Sequence, residues 1–199
     1  YMSPPVSAGL LIDLNAAAGM DAQAISGFQA AANYWQSVLT DDVTVNLDID
    51  FTTLGTNILG TASSFTQSEK VDTYFAALQS DMSSADDTAA VAGLPTLGGT
   101  NNDYVQFRTQ VNTEGGSTVV SLDSDGSIAS GGTNNRVLAL NTANAKALGL
   151  FAGSAGAADA SITFSDAYSW DFDNSDGIGA GLQDFVGVAI HEIGHALGF

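Results

Sequence analysis

This 199-residue chain predicts a fold of the α/β (α+β) class. Two successions carry that reading. Near the start, a strand, a helix and a second strand follow one another, each with its own hydrophobic period. At the end, an alternating strand runs through a loop into an apolar-striped helix. Apolar residues make up 45% of the chain, enough to bury a substantial core.

The apolar run Gly9 to Leu14 predicts a first strand. Asp21 is placed as an N-cap, and Ile25, Phe28, Ala32, Trp35 and Leu39 then recur at spacings of three and four, marking one face of an amphipathic helix that ends near Thr40. Val43, Val45, Leu47, Ile49 and Phe51 alternate with Thr44, Asn46, Asp48 and Asp50, which predicts a strand with one buried face. Thr66-Gln67-Ser68-Glu69 has the form of a capping box ahead of a helix striped by Val71, Phe75, Leu78 and Met82. Ser83 to Thr100 reads as a loop. Tyr104–Thr109, Ser117–Leu122 and Arg136–Leu140 read as short strands separated by turns at Glu114-Gly115-Gly116, Asp123-Ser124-Asp125-Gly126 and Gly131-Gly132. Asn141 caps a short helix through Leu150.

Ile162, Phe164, Tyr168, Trp170 and Phe172 predict a further strand, bent near Asp166, and Asp173 to Gly181 a Gly- and Asp-rich loop. The last helix is expected from about Leu182, with Leu182, Phe185, Val186, Ala189, Ile193, Ala196 and Leu197 as its buried stripe and Gly198 as its terminating glycine. No fixed-period repeat and no composition shift divides the chain, so residues 1–199 read as a single domain.

Charge narrows the function. Four Lys and Arg stand against 22 Asp and Glu, a net of −18, so the chain repels nucleic acid and anionic membrane surfaces. No stretch approaches the roughly 18 apolar residues of a membrane span. The absence of Cys excludes disulfides and thiolate sites. The start at Tyr1-Met2-Ser3-Pro4 has neither a basic nor an apolar leader region, so it reads as a processing site or a boundary.

The chain has two histidines, and both fall in His191-Glu192-Ile193-Gly194-His195. Four residues apart on a helix, their rings project from one face and can reach one cation at about 2.0–2.1 Å, so His191 and His195 are candidate zinc ligands. Glu192, beside them, is the candidate catalytic acid–base residue for a metal-activated water. The pair points away from the apolar stripe, toward a cleft.

His191 to Phe199 resembles the active-site signature of metzincin-type zinc endopeptidases, with matrixins and leishmanolysin-like enzymes nearest in wording. Asp159-Ala160-Ser161-Ile162-Thr163-Phe164 is similar to a matrixin strand, and the order of elements looks like the family's N-terminal subdomain. The resemblance implies a twisted, mostly parallel sheet with long helices and an extended polypeptide substrate. It also implies that Gly198 turns the chain toward a third ligand two positions beyond Phe199, with the C-terminal subdomain missing here. The family's substrate backbone pairs with a strand along the cleft, and Ser165, Tyr168 and Trp170 are the candidates for that edge. A secreted or cell-surface bacterial enzyme is the implied setting. Asp184 shares the histidines' helical face but lies two turns away, where it suits the helix N-terminus.

Asp171, Asp173 and Asp176 form a candidate calcium loop, closed by Gly177. It departs from the EF-hand register, and a plain Asp/Asn turn accounts for the same residues. Two other classes remain open: a structural surface or filament protein that keeps a peptidase fold without catalysis, and a calcium-dependent binding module.

Overall fold

The computed structural model describes residues 9–98, 104–105, 107–112, 118–123 and 136–199. In chain order its elements are β1 (Leu11–Ala16), α1 (Ala22–Val38), β2 (Thr44–Thr52), β3 (Gly60–Ser64), β4 (Thr66–Lys70), α2 (Val71–Asp81), α3 (Ala85–Ala92), β5 (Leu97–Gly98) and β6 (Tyr104–Val105). There follow β7 (Phe107–Asn112), β8 (Thr118–Asp123), β9 (Val137–Asn141), α4 (Thr142–Ala147), β10 (Ala160–Ser165), β11 (Trp170–Asp171), β12 (Gln183–Asp184) and α5 (Phe185–Leu197). The chain is therefore mixed α/β, as its periodicities predict.

It divides into two units. The first comprises the chain up to Thr66, Asn141–Ala147 and Phe151–Phe199; the second is Gln67–Leu140 with Leu148–Leu150.

The first unit is built on a four-stranded sheet in the order β1-β2-β10-β3. β1 and β10 run parallel to β2, while β3 is antiparallel to β10. Val45, Leu47 and Ile49 are buried on one face, whereas Asn46, Asp48 and Asp50 stay half-exposed on the other. A parallel sheet covered on both faces has near-continuous apolar strands; here the strict alternation of β2 corresponds to a single covered face. On the open face Asn15 donates to Asp48 across the β1–β2 ladder at 2.8 Å.

Helices α1 and α5 pack on each other and supply the covering layer. Asp21 caps α1 as expected, its side chain accepting from the amides of Gln23 and Ala24. Phe28 meets Phe164 and Phe185 with ring centroids 4.8 and 5.2 Å apart, and Trp170 adds a fourth ring against Phe185. Two glycines permit the close approach: a Cβ on Gly27 falls 2.4 Å from Phe185 Cδ1, and one on Gly194 falls 3.1 Å from the Trp35 ring.

The two sheet edges differ. On the β1 side, Gln36 Oε1 accepts the outward amide of Ile12 at 2.8 Å, so a side chain from α1 caps that edge. On the β3 side, Ser165 N–H donates to the Leu59 carbonyl and Phe65 N–H to the Asp159 carbonyl, both bonds pointing inward onto β10. Alternation then turns the backbone groups of Gly60, Ala62 and Ser64 outward, and among the described residues no strand pairs with them.

In the second unit, β4 pairs with β9, β5 with β6, and β7 with β8 in an antiparallel hairpin. Here the sequence expectations need correcting. Thr66–Lys70 is a strand in place of a capping box: α2 begins at Val71 behind Lys70, with no side-chain cap. The capping box lies at Ser84, whose hydroxyl accepts from Asp87 N while the Asp87 carboxylate accepts from Ser84 N. Ser83–Thr100, expected to be a loop, therefore contains α3. The turns at Glu114-Gly115-Gly116, Ser124-Asp125-Gly126 and Gly131-Gly132 lie outside the described residues. No helix of the described chain is long and apolar enough to cross a membrane.

Candidate metal centre

The helix carrying the two histidines starts three residues later than its apolar stripe suggests. Gln183–Asp184 is still extended, paired with Trp170–Asp171, and Leu182 precedes the helix, 37% exposed. Asp184 is the N-cap, its carboxylate accepting from Gly187 N at 2.9 Å, an anion at the positive end of the helix. Phe185, Val186, Ala189, Ile193, Ala196 and Leu197 are buried as expected. Gly198 ends the helix in the left-handed region at φ 102°, and Phe199 N–H reaches back to the Gly194 carbonyl.

With that stripe turned inward, His191 and His195 are left exposed on the opposite side. Their Nε2 atoms face each other 3.0 Å apart, with the rings at 81°. Each nitrogen of a zinc site lies about 2.0–2.1 Å from the metal. Two nitrogens this close therefore both fall within reach of one ion, and the donor set fits zinc. Nδ1 of His195 lies 3.3 Å from the backbone oxygen of Phe199. Glu192 is half-buried and lines, with His191, a hollow of about 560 Å³ walled by Asn57–Gly60, Asp184, Gly187 and Val188.

The residues expected along the substrate edge stand elsewhere. β10 is an interior strand, flanked by β2 and β3, because Gly60–Ser64 pairs along its outer side. Ser165 is wholly buried, and its hydroxyl accepts from the amides of Leu54 and Ala167. Trp170 is buried on Phe164 and donates its indole N–H to the Ser165 carbonyl at 2.8 Å. Tyr168 is half-buried against Trp170. The open edge is β3. Its small, polar sequence offers no alternation to flag it, and the antiparallel partner that makes it an edge lies about a hundred residues away in the chain.

Asp171, Asp173 and Asp176 sit in a loop that uses two of these carboxylates for its own backbone. Asp171 accepts from Asp173 N and Gly179 N, and Asp173 from Ser175 N. Hydrogen bonds from the Ser175 side chain and backbone hold the Asp173 carboxyl below its ordinary range. Among the described residues no group of three or more His, Cys, Asp or Glu is placed to hold a metal ion.

No protein-family model, curated protein or solved structure matches the chain.

Proposed function

We propose that this protein is a zinc endopeptidase of metzincin-like build. The observation that carries the proposal is the pair of exposed Nε2 atoms, 3.0 Å apart, on a helix whose next residue after His191 is a carboxylate opening onto the same hollow. His191 and His195 would hold the metal. Bound zinc lowers the pKa of water toward about 7 and polarises a peptide carbonyl. Glu192 takes up the proton released from the attacking water and returns it to the departing amine.

The mostly parallel sheet, its antiparallel edge and the two packed helices support the metzincin-like reading. The outward backbone groups of Gly60, Ala62 and Ser64 suit an extended polypeptide substrate, added as a further strand. Ile58, Leu59 and Val188 give the neighbouring hollow an apolar wall for one substrate side chain. A net charge of −18 and the lack of Cys are compatible with a secreted or cell-surface bacterial protein.

Casein hydrolysis in the presence of zinc tests the proposal, using the chain carried on through the third ligand that the resemblance implies. Glu192→Ala is expected to lower kcat by a hundredfold or more while leaving zinc affinity unchanged. Hydrolysis that survives this substitution removes Glu192 from the mechanism.

A further inference from the structure

The hollow beside His191 has an apolar wall, from Ile58, Leu59 and Val188, and a carboxylate where α5 begins, from Asp184. Neutral donors fix that carboxylate from two sides. Its Oδ1 accepts from Gly187 N at 2.9 Å, and Asn174 Nδ2 reaches the two oxygens at 3.2 and 3.3 Å. Gly187 itself lines the hollow, and a Cβ on it would fall 2.9 Å from the Asp184 carboxyl carbon. Glycine at this position leaves the carboxylate its place beside the hollow; a side chain would displace it.

Amide donors orient a carboxylate without cancelling its charge. Among the described residues Asp184 forms no ion pair, and neither does Glu192, the other carboxylate lining the hollow. The net charge of −18 gives the surrounding field the same sign. A half-buried, fixed carboxylate beside apolar surface matches a side chain with an aliphatic stem and a cationic head. Lys and Arg are built this way, laying methylenes on apolar surface and carrying the charge at the tip. Seven residues separate Asp184 from His191, about 10 Å along the helix. A cation held at Asp184 therefore stays apart from the charge of an ion held by the histidines.

We propose that this hollow selects a Lys or Arg side chain of the polypeptide substrate, with Asp184 as the residue that recognises the charge. The inference deepens the endopeptidase reading and rests on it for its meaning, but binding of the side chain is measurable without metal or cleavage. An extended chain added along Gly60–Ser64 turns alternate side chains to the same side, so one of them enters the hollow while the backbone pairs with the edge. Its stem lies on Ile58, Leu59 and Val188, and its cation meets Asp184. Glu192 is left to handle protons. Acidic side chains are refused by both carboxylates.

The test titrates three hexapeptides, identical except for a central Arg, Leu or Glu, into the metal-free 199-residue chain at low salt. The amide signals of Ile58, Leu59, Gly60 and Val188 are followed by NMR. The Arg peptide is expected to move these signals and to bind about fivefold more tightly than the Leu peptide, a ratio equal to about 1 kcal/mol. The Glu peptide should bind most weakly, and added salt should shrink the Arg advantage. Asn caps a helix as well as Asp does, so Asp184→Asn removes the charge and keeps the cap. It should bring the Arg and Leu peptides to within about twofold of each other. The ranking in the native chain decides the proposal even if that variant fails to fold. An Arg peptide bound no more tightly than the Leu peptide overturns it, as do signals that none of the three peptides moves. An Arg preference that survives in Asp184→Asn overturns it too. Arg-selective binding by a zinc-loaded, extended chain that never cleaves a peptide would leave the selectivity of the hollow standing and remove the peptidase reading; cleavage without selectivity would do the reverse.

Discussion

Asp159 and Lys146 form a buried ion pair 2.6 Å long, with side chains 2% and 10% exposed. Asp159 also accepts from Asn46 N, and Lys146 donates to the Thr44 carbonyl, so the pair ties α4 to the start of β2 and β10. Asp159, just ahead of β10, thus has a structural task in this chain. Removing one partner strands a charge in the interior, which typically costs about 3–5 kcal/mol. Asp159→Asn and Lys146→Met are both expected to lower unfolding free energy by that order in urea titrations. A change under 1 kcal/mol in both would show that the pair is more hydrated than its burial indicates.

Gly27 gives a prediction whose sign runs against propensity. Gly-to-Ala inside an exposed helix ordinarily stabilises by about 1 kcal/mol. At position 27 the new methyl lands 2.4 Å from Phe185 Cδ1, and Phe185 is held by five other rings. Gly27→Ala is therefore expected to destabilise by about 1–3 kcal/mol, the usual range for overpacking. Thermal melting checks it, and a raised midpoint would mean that α1 shifts freely on α5.

Local pattern was informative wherever one hydrophobic face decided the element. α1, β2 and the stripe of α5 follow directly from spacings of 3.6 and 2, and His191 and His195 fall on the face that this stripe leaves outside. Pairing between distant segments left no such trace. Thr66–Glu69 has the letters of a capping box, but as β4 it pairs with Val137–Asn141; the box that forms, at Ser84–Asp87, has Asp in place of Glu. The edge strand is hidden from local pattern for the same reason. Gly60–Ser64 is too small and polar to show a period, and its position depends on β10 folding back beside it.

At Ser84 the capping box makes α3 sensitive to acid. Hydrogen bonds from the Ser83 backbone, the Ser84 side chain and the Ser84 backbone hold the Asp87 carboxyl below its ordinary value of 3.8. A depressed folded value means that the cap's contribution is present above the unfolded value and fades as pH falls through the folded one. The α3 amides are expected to lose exchange protection below about pH 4, ahead of those in α1. Ser84→Ala should move the Asp87 titration, followed by NMR, upward toward 3.8; an unmoved titration would remove the serine from the cause.

For the Asp171 loop, the expected outcome separates an Asx turn from a calcium site. Asp171 serves two amides, Asp173 N and Gly179 N. Asp171→Ala should cost about 1–2 kcal/mol through those two bonds. That is a fall of about 2–8 °C in Tm for a chain of this size. The loss should be the same in EDTA as in millimolar calcium. A loss seen only with calcium would assign the carboxylate to the ion instead.

The zinc affinity of the chain through Phe199 follows from counting donors. Catalytic zinc sites use three protein ligands and structural ones four. Here two imidazoles converge, and the described residues place no third His, Cys, Asp or Glu with them. Asp184, on the same face, cannot be recruited cheaply. Its carboxylate caps α5 at Gly187 N and also accepts from Asn174 Nδ2 at 3.2 Å, so drawing it toward the histidines would uncap the helix that presents them. Calorimetric titration should therefore give a zinc Kd in the micromolar range or weaker, abolished by His195→Ala and unaffected by Glu192→Ala. Extension through a further ligand should tighten it by several powers of ten, each power worth about 1.4 kcal/mol of added coordination. Nanomolar affinity in the 199-residue chain itself would mean that a third donor swings into the site, and Asp184→Asn would then show whether the N-cap is that donor.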